Sequence, residues 1–248
     1  MPLTSQRFLI QPLVLGLLSL LAFSFASVAG AARKPSARKV VKKTSRITAA
    51  QRKKLKKTVQ GIEKFYKNLK DFRASFRQIY YPARFSRTMK ERGRFFFKKP
   101  GRIRLQYLAP ERKELIYNKR TFWKYDVDEN EVQVRYGVKR SQLGVAFQFL
   151  WGGGNLSRTF RIREARPFAF GRKGDICLEL VPRKRQPMFK KLYFAVKPGT
   201  FMIRETIYTD RAGNKNRFIF SKIRTNTNIP ARAFNFKPPA GATVTKLP

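Results

Sequence analysis

The chain has 248 residues, with 56 lysines and arginines against 14 aspartates and glutamates, so its formal net charge is +42. It has no histidine and a single cysteine, which excludes Ser-His and Cys-His nucleophile pairs, an imidazole zinc site and an internal disulfide, so we expect no enzyme, no cofactor and no metal site. Its hydrophobic fraction of 42 %, with 23 phenylalanines, is too apolar for a disordered basic chain and predicts a sizeable core.

The first predicted element is a secretory leader. Arg7 supplies a positive charge, an apolar run extends over residues 13–25, and small residues end at Ala29-Gly30-Ala31. This layout is typical of a signal peptide. The alternative, an uncleaved membrane anchor, would need a longer apolar run of roughly 20 residues. We therefore predict that residues 1–31 are a signal peptide, and, since no cysteine near the cleavage site could be acylated, that the mature protein is soluble.

A basic segment follows the leader. Residues 32–46 consist of arginine, lysine, valine and small or polar residues, with no acidic residue. Repulsion between like charges predicts that this segment is disordered and solvated. The alternative is an electrostatic tether to an anionic membrane or to an acidic partner. Residues 47–248 then form one predicted domain, without an internal repeat or boundary.

The domain is predicted to begin with an amphipathic helix. Thr48 and Gln51 have the spacing of a capping box. Apolar residues recur at helical spacing after them, with lysines on the opposite face. These apolar positions are Leu55, Val59, Ile62, Phe65, Tyr66 and Leu69.

From Phe72 onward the apolar residues alternate with a period of two, which predicts strands. The predicted strands are 72–78, 92–98, 102–107, 114–118, 121–125, 131–136, 160–163, 175–181, 190–196, 201–209 and 214–223. A helix is predicted over 141–151, a hairpin turn at 210–213, and a short edge piece at 234–239. The connections are too short for crossover helices, so we predict one α+β domain of about eleven antiparallel strands curled around two or three helices.

Aromatic residues follow one another directly in several strands, as at 95–97 and 122–123. Such rings can simply fill the core. They can also line an apolar pocket with few polar groups, which is the kind of site that accepts acyl chains. The residues alone leave both interpretations open.

Four segments carry a family resemblance. They read LKDFRASFRQ at 69–78, GRFFFKKPGRIRLQY at 93–107 with Ala109-Pro110 after it, FWKYD at 122–126, and FKPPAG at 236–241. In this order and spacing they resemble the periplasmic lipoprotein carrier proteins, the LolA family. Each motif is weak alone, but together they are fairly specific.

The resemblance implies an incomplete antiparallel β-barrel with helices as a lid over a hydrophobic cavity. It implies a periplasmic carrier that receives acylated lipoproteins from an inner-membrane ABC exporter and delivers them to an outer-membrane lipoprotein receptor. It also implies a monomer that does not bind nucleic acid. The high positive charge adds an expected contact with an anionic membrane surface.

The predicted lipid-binding set follows from this resemblance together with strand alternation. Its members on the sheet are Phe95, Phe97, Ile103, Leu105, Tyr107, Trp123 and Tyr125, which are expected to point inward. Phe147, Leu150 and Trp151 are expected to line the lid. Two positions depart from the family: Lys99 stands where the family has an arginine that controls the lid, and Leu105 where it has a tryptophan. Because an ammonium cannot reproduce the fixed hydrogen bonds of a guanidinium, lid control is expected to be weaker or placed elsewhere.

Other functions remain open at this point. The same scaffold could carry another lipid or a glycolipid, or serve as a stress-sensor domain, and the charge alone could mark a periplasmic polyanion-binding protein. The acidic run 126–131 could suggest Ca²⁺ but lacks the glycine and spacing of a calcium loop, so a hairpin turn is predicted. Cys177 is predicted to be an inert side chain opposite the leucine face of its strand.

Overall fold

The computed structural model describes residues 48–84, 87–139, 155–165, 170–186 and 189–248. The predictions for the signal peptide 1–31, the basic segment 32–46 and the helix 141–151 therefore lie outside the described residues. Within the described part of the chain, no helix is both long enough and apolar enough to cross a membrane.

Helix α1 extends over Ala49–Asn68 and begins at the predicted capping box. The Thr48 hydroxyl accepts a hydrogen bond from the amide of Gln51 at 3.2 Å, and the Gln51 side chain accepts one from the amide of Thr48 at 2.8 Å. These two bonds satisfy donors that a helix otherwise leaves free at its start. The helix buries Val59, Ile62 and Tyr66 on one face, so the predicted amphipathic helix is confirmed.

Twelve strands and two further helical turns complete the described residues. The strands are β1 (Asp71–Tyr81), β2 (Met89–Lys98), β3 (Arg102–Ala109), β4 (Lys113–Asn118), β5 (Thr121–Asp126), β6 (Glu131–Arg135), β7 (Phe160–Glu164), β8 (Ile176–Pro182), β9 (Lys191–Val196), β10 (Ile203–Thr209), β11 (Lys215–Thr225) and β12 (Thr243–Lys246). Helix α2 covers Leu156–Thr159, and a 3-10 helix covers Ala231–Phe234.

All twelve strands belong to one sheet, in the order β12-β6-β5-β4-β3-β2-β1-β11-β10-β9-β8-β7. Every neighbouring pair is antiparallel except β12 and β6, which run parallel. Among the described strands the ends of the sheet, β12 and β7, do not pair with each other. The predicted incomplete antiparallel barrel is therefore confirmed as a large open sheet.

The face of the sheet that joins the core with α1 is called the inner face. Directly opposed residues on antiparallel strands share a face, so the register identifies its members. Phe72 lies opposite Phe97, which lies opposite Ile103, which in turn lies opposite Tyr117. These four side chains and those of Val59, Ile62 and Tyr66 belong to one buried cluster.

The C-terminal tail differs from its prediction. The predicted edge piece at 234–239 is wrong, because the chain there forms the end of the 3-10 helix and an extended segment across the other face of the sheet, called the outer face. The prolines at 238 and 239 precede the real edge strand, β12, which pairs with β6. Its parallel partner lies more than a hundred residues earlier, so no local pattern announced this pairing.

The acidic run forms the predicted hairpin turn between β5 and β6. Asp128 accepts hydrogen bonds from the backbone amide of Arg112 at 2.9 Å and from its guanidinium at 2.8 Å. These hydrogen bonds lower the pKa of Asp128. Across the described residues, no group of three or more cysteine, aspartate or glutamate side chains could hold a metal ion.

Candidate functional site

Five of the predicted lipid-binding residues lie together on the inner face. These are Phe95, Phe97, Ile103, Leu105 and Tyr107, and all are buried. Leu105 keeps an apolar surface where the resembling family has a tryptophan. Strand alternation thus placed the whole β2–β3 set on one face, but whether the set binds lipid stays a prediction.

The inward placement of Trp123 and Tyr125 is wrong. Trp123 lies opposite Ile116, and Ile116 lies opposite Arg104, so these three side chains share the outer face. Both aromatic rings pack on Phe236 of the tail, with ring centroids 6.0 and 5.6 Å apart respectively. The two residues therefore fix the C-terminal tail and do not line the inner face.

The inner-face residue of β5 is Phe122, which sequence reasoning missed. Phe122 lies opposite Tyr117, which in turn lies opposite Ile103, and it packs against the core. Lys124 also lies on this face, opposite Leu115. All six residues of β5 are half-buried, so neither face of this strand stands out as apolar.

Helix α1 covers the inner face and is held there by Tyr66. The Tyr66 hydroxyl accepts a hydrogen bond from the amide of Ile203 at 3.2 Å, at the start of β10. Burial raises the pKa of Tyr66 well above its ordinary value. The buried side of α1 thus packs on the inner face. The predicted lid residues Phe147, Leu150 and Trp151 lie outside the described residues.

Lys99 links the β2–β3 turn to the end of this helix. Its ammonium donates to the carbonyl oxygens of Tyr66 at 2.7 Å and of Lys67 at 3.0 Å. Carbonyls in the last turn of a helix have no partner within the helix, and a cation there also interacts favourably with the helix dipole. Burial lowers the pKa of Lys99. Although it is a lysine, the residue expected to control the lid contacts the helix that covers the sheet.

Replacing Lys99 by methionine should lower the free energy of unfolding by about 1–2 kcal/mol, because two hydrogen bonds from a charged, half-buried group are lost. The loss is measured by urea denaturation, and hydrogen exchange should show faster exchange in the last turn of α1. Lys99→Arg keeps a donor at this position and serves as the control. Equal stability of the methionine variant and the unmodified protein would mean that Lys99 does not hold the helix.

A cavity of about 300 Å³ opens beside the C-terminal half of α1. It is lined by Gly61, Lys64, Phe65, Asn68, Leu69, Thr200, Phe201 and Asn226. The Phe201 ring lies so close to Gly61 that a Cβ there would be 2.5 Å from it, so only glycine permits this contact. Among the described residues, none of the predicted lipid-binding set lines this cavity.

Comparison with known proteins agrees with the resemblance in the sequence. A sequence model of the family described as outer membrane lipoprotein carrier protein LolA matches residues 67–237. The outer-membrane lipoprotein carrier protein of Chromobacterium violaceum is 30% identical over 154 residues, which cover 61% of this chain and 70% of that protein. The protein of the same description from Leptothrix cholodnii is 27% identical, over 75% of this chain and 84% of its own length.

Solved structures resemble the fold at lower sequence identity. An uncharacterized conserved protein of Thermus thermophilus is 12% identical, with a TM-score of 0.48, over 77% of this chain and 98% of that one. A LolA superfamily protein of Nitrosomonas europaea is 11% identical, with a TM-score of 0.40, over 73% of this chain and 97% of that one.

Proposed function

Because the chain belongs to the outer membrane lipoprotein carrier protein family, we propose that it carries the acyl chains of lipoproteins on the inner face of its sheet. In this proposal the protein works in the periplasm as a monomer. It takes lipoproteins from an inner-membrane ABC exporter and passes them to an outer-membrane receptor. Its role is to bind and release cargo, without catalysing a reaction.

The observation that supports the proposal is a largely apolar face that is covered, within the described residues, by one long helix. The inner face offers edge-to-face rings, with Phe72 and Phe95 centroids 5.5 Å apart and Phe76 and Tyr107 centroids 5.1 Å apart. Only one long helix lies over this face in the described residues. Displacing that helix would expose an apolar surface suited to acyl chains.

Cargo exchange then depends on a balance between acyl burial and helix displacement. Each methylene transferred from water contributes about 0.8 kcal/mol, so several acyl chains bound without opposition would never leave. Opening the cover breaks the Lys99 hydrogen bonds and exposes Val59, Ile62 and Tyr66. The cost of opening lowers the net affinity and lets cargo pass to a receptor.

The charge of α1 suits loading at a membrane. The surface of the helix away from the sheet is strongly basic. Its exposed cations are Arg52, Lys53, Lys54, Lys56, Lys57, Lys64 and Lys67. Its one acidic residue, Glu63, accepts a hydrogen bond from the amide of Leu156 at 2.8 Å. Anionic headgroups attract such a surface, by about 1 kcal/mol for each nearby cation, and would concentrate the carrier where lipoproteins emerge.

The proposal is tested by identifying the bound cargo. The full chain is expressed in a Gram-negative host, purified from the periplasmic extract, and analysed by mass spectrometry for co-purifying molecules. We expect lipoproteins with an acylated N-terminal cysteine. Recovery of glycolipids alone would mean that the cargo is a glycolipid and not a lipoprotein. Recovery of no acylated molecule would overturn the carrier function.

A salt wash separates a carrier from a polyanion-binding protein. At about 1 M salt the Debye length falls to about 3 Å, which weakens electrostatic complexes, whereas burial of acyl chains persists. Deleting residues 32–46 provides the matched test, because a carrier should still release lipoproteins from spheroplasts. Loss of the cargo in both experiments would favour the polyanion-binding function.

A further inference from the structure

One end of the inner face carries polar side chains, all but one of them buried, in place of apolar ones. This polar cluster consists of Gln78, Glu91, Tyr107, Lys113, Tyr208 and Asn216. The Tyr107 hydroxyl donates to the Gln78 side chain at 2.8 Å, and the ammonium of Lys113 donates to Oε1 of Glu91. The same ammonium lies 4.9 Å from the centroid of the Tyr107 ring.

The two halves of the polar cluster lie on neighbouring strands of the inner face, because Gln78 pairs with Phe218 and Asn216 pairs with Tyr80. Asn216 donates from its side-chain nitrogen to the Tyr208 hydroxyl at 2.9 Å. Burial, together with the nearby Glu91 and Tyr208, raises the pKa of Tyr107, and burial also raises the pKa of Tyr208, so both tyrosines remain neutral hydroxyls at neutral pH. The six side chains therefore share one end of the inner face.

Two acceptors in the polar cluster lack a donor. Oε2 of Glu91 and Oδ1 of Asn216 are buried and receive no hydrogen bond. Their side chains are deeply placed, since Glu91 is 8% exposed and Asn216 is 1% exposed. Buried polar atoms are nearly always paired in folded proteins, because an unpaired acceptor loses its hydration without compensation. A molecule that brings N–H or O–H donors would complete both groups.

The polar cluster is continuous with the apolar part of the inner face. Tyr107 packs its ring on Phe76, with centroids 5.1 Å apart, while its hydroxyl belongs to the cluster. Phe76 also contacts Phe218, with centroids 5.7 Å apart. An amphiphile lying on these rings would therefore place its polar end at Glu91 and Asn216.

We infer that the polar cluster recognises the head of the cargo, by accepting hydrogen bonds from the amide N–H groups at an acylated peptide N-terminus. The inference rests on the proposed function, because it requires that acyl chains lie on the neighbouring rings. The unpaired acceptors give the site its selectivity. Of two amphiphiles with the same acyl chain, the site favours the one whose head group carries hydrogen-bond donors. Amide N–H groups directly beside an acyl chain are the donors that a lipoprotein brings.

The test uses matched acyl probes that differ in their donors. N-dodecanoyl glycinamide carries N–H groups, its fully N-methylated analogue carries none, and dodecyl glucoside carries hydroxyl donors. Each probe displaces the uncharged dye N-phenylnaphthylamine from the full chain. We expect the glycinamide to bind about tenfold more tightly than its methylated analogue, which is the effect of one hydrogen bond to a charged or buried group.

Two variants locate this selectivity. Asn216→Leu removes one unpaired acceptor, and Glu91→Leu combined with Lys113→Met removes the other without leaving a lone charge. Both should bind the methylated analogue about as well as the unmodified protein does, but lose most of the tenfold preference. Selectivity that persists in both variants overturns the inference.

The remaining outcomes separate the inference from the proposed function. Equal binding of the glycinamide and its methylated analogue to the unmodified protein leaves acyl binding intact but overturns the recognition of donors. Tighter binding of the glucoside than of the glycinamide overturns the assignment of an amide head group and indicates a sugar head group. Failure of every acyl probe to bind overturns the inference and the carrier function together.

Discussion

Lys113→Met should lower the free energy of unfolding by about 3–5 kcal/mol, the loss expected when one partner of a buried ion pair is removed. Lys113 is 4% exposed and Glu91 9% exposed in their side chains, and methionine would leave the Glu91 carboxylate buried without its cation. Glu111 offers no replacement, since it is itself acidic. Urea denaturation of the variant measures the loss, which would be a large part of the stability of an ordinary domain.

The double variant Glu91→Leu/Lys113→Met is the matched control. It removes both charges and fills the same space with apolar side chains, a change that is often neutral or stabilising for a buried pair. We expect it to recover most of the stability lost in Lys113→Met. If both variants unfold at the same urea concentration, the loss arises from the shape of the Lys113 side chain and not from the unpaired carboxylate.

The faces of β2 and β3 could be predicted because their patterns are clean. Phe95 and Phe97 alternate with the basic or half-buried residues between them, and Ile103, Leu105 and Tyr107 do the same on the next strand. When one face is buried and the other solvated, a period of two fixes the orientation of the whole strand. The family resemblance added the function, which the alternation alone left open.

Strand β5 could not be oriented in this way. It carries Phe122 and Trp123 in succession, and both of its faces are half-buried, one under the core and the other under the tail. The alternation is then ambiguous, and only the register with β4 decides that Phe122 faces inward. The tail that covers Trp123 is more than a hundred residues away in the sequence. The residues around Trp123 therefore could not indicate that its side of β5 would be covered.

The strand alternation could have placed Glu91 and Lys113 of the polar cluster on the inner face. Glu91 is in phase with Phe95 and Phe97, and Lys113 is in phase with Leu115 and Tyr117. A charged residue in an alternating strand usually marks the solvated face, and both residues lie just before the strands predicted over 92–98 and 114–118. The position of these residues in the alternation predicts their face better than their charge does, because a charged side chain can be buried when its partner lies on a neighbouring strand.

Ile103→Glu should weaken the binding of acyl probes roughly a hundredfold, or about 2.7 kcal/mol at 1.36 kcal/mol for each factor of ten. Ile103 is buried beside Phe97 and Tyr117 on the inner face. A carboxylate at this point would have to be desolvated by every acyl chain that lies across it, and neither of these two neighbours carries a cation to pair with it. Displacement of N-phenylnaphthylamine by a dodecanoyl probe gives the affinity.

The same strand supplies the control. Leu108 is 48% exposed, so Leu108→Glu adds an identical charge to β3 without placing it on the inner face, and its affinity should stay within about twofold of the unmodified protein, as a surface change. Circular dichroism must show that each variant is folded.

The milder substitution Ile103→Thr tests the same position and keeps the branched shape of the side chain. Its hydroxyl should weaken acyl binding, but less than a charge does. Acyl binding that is unchanged in folded Ile103→Glu and in Ile103→Thr would place the acyl chains elsewhere, with the cavity between α1 and Phe201 as the next surface to substitute.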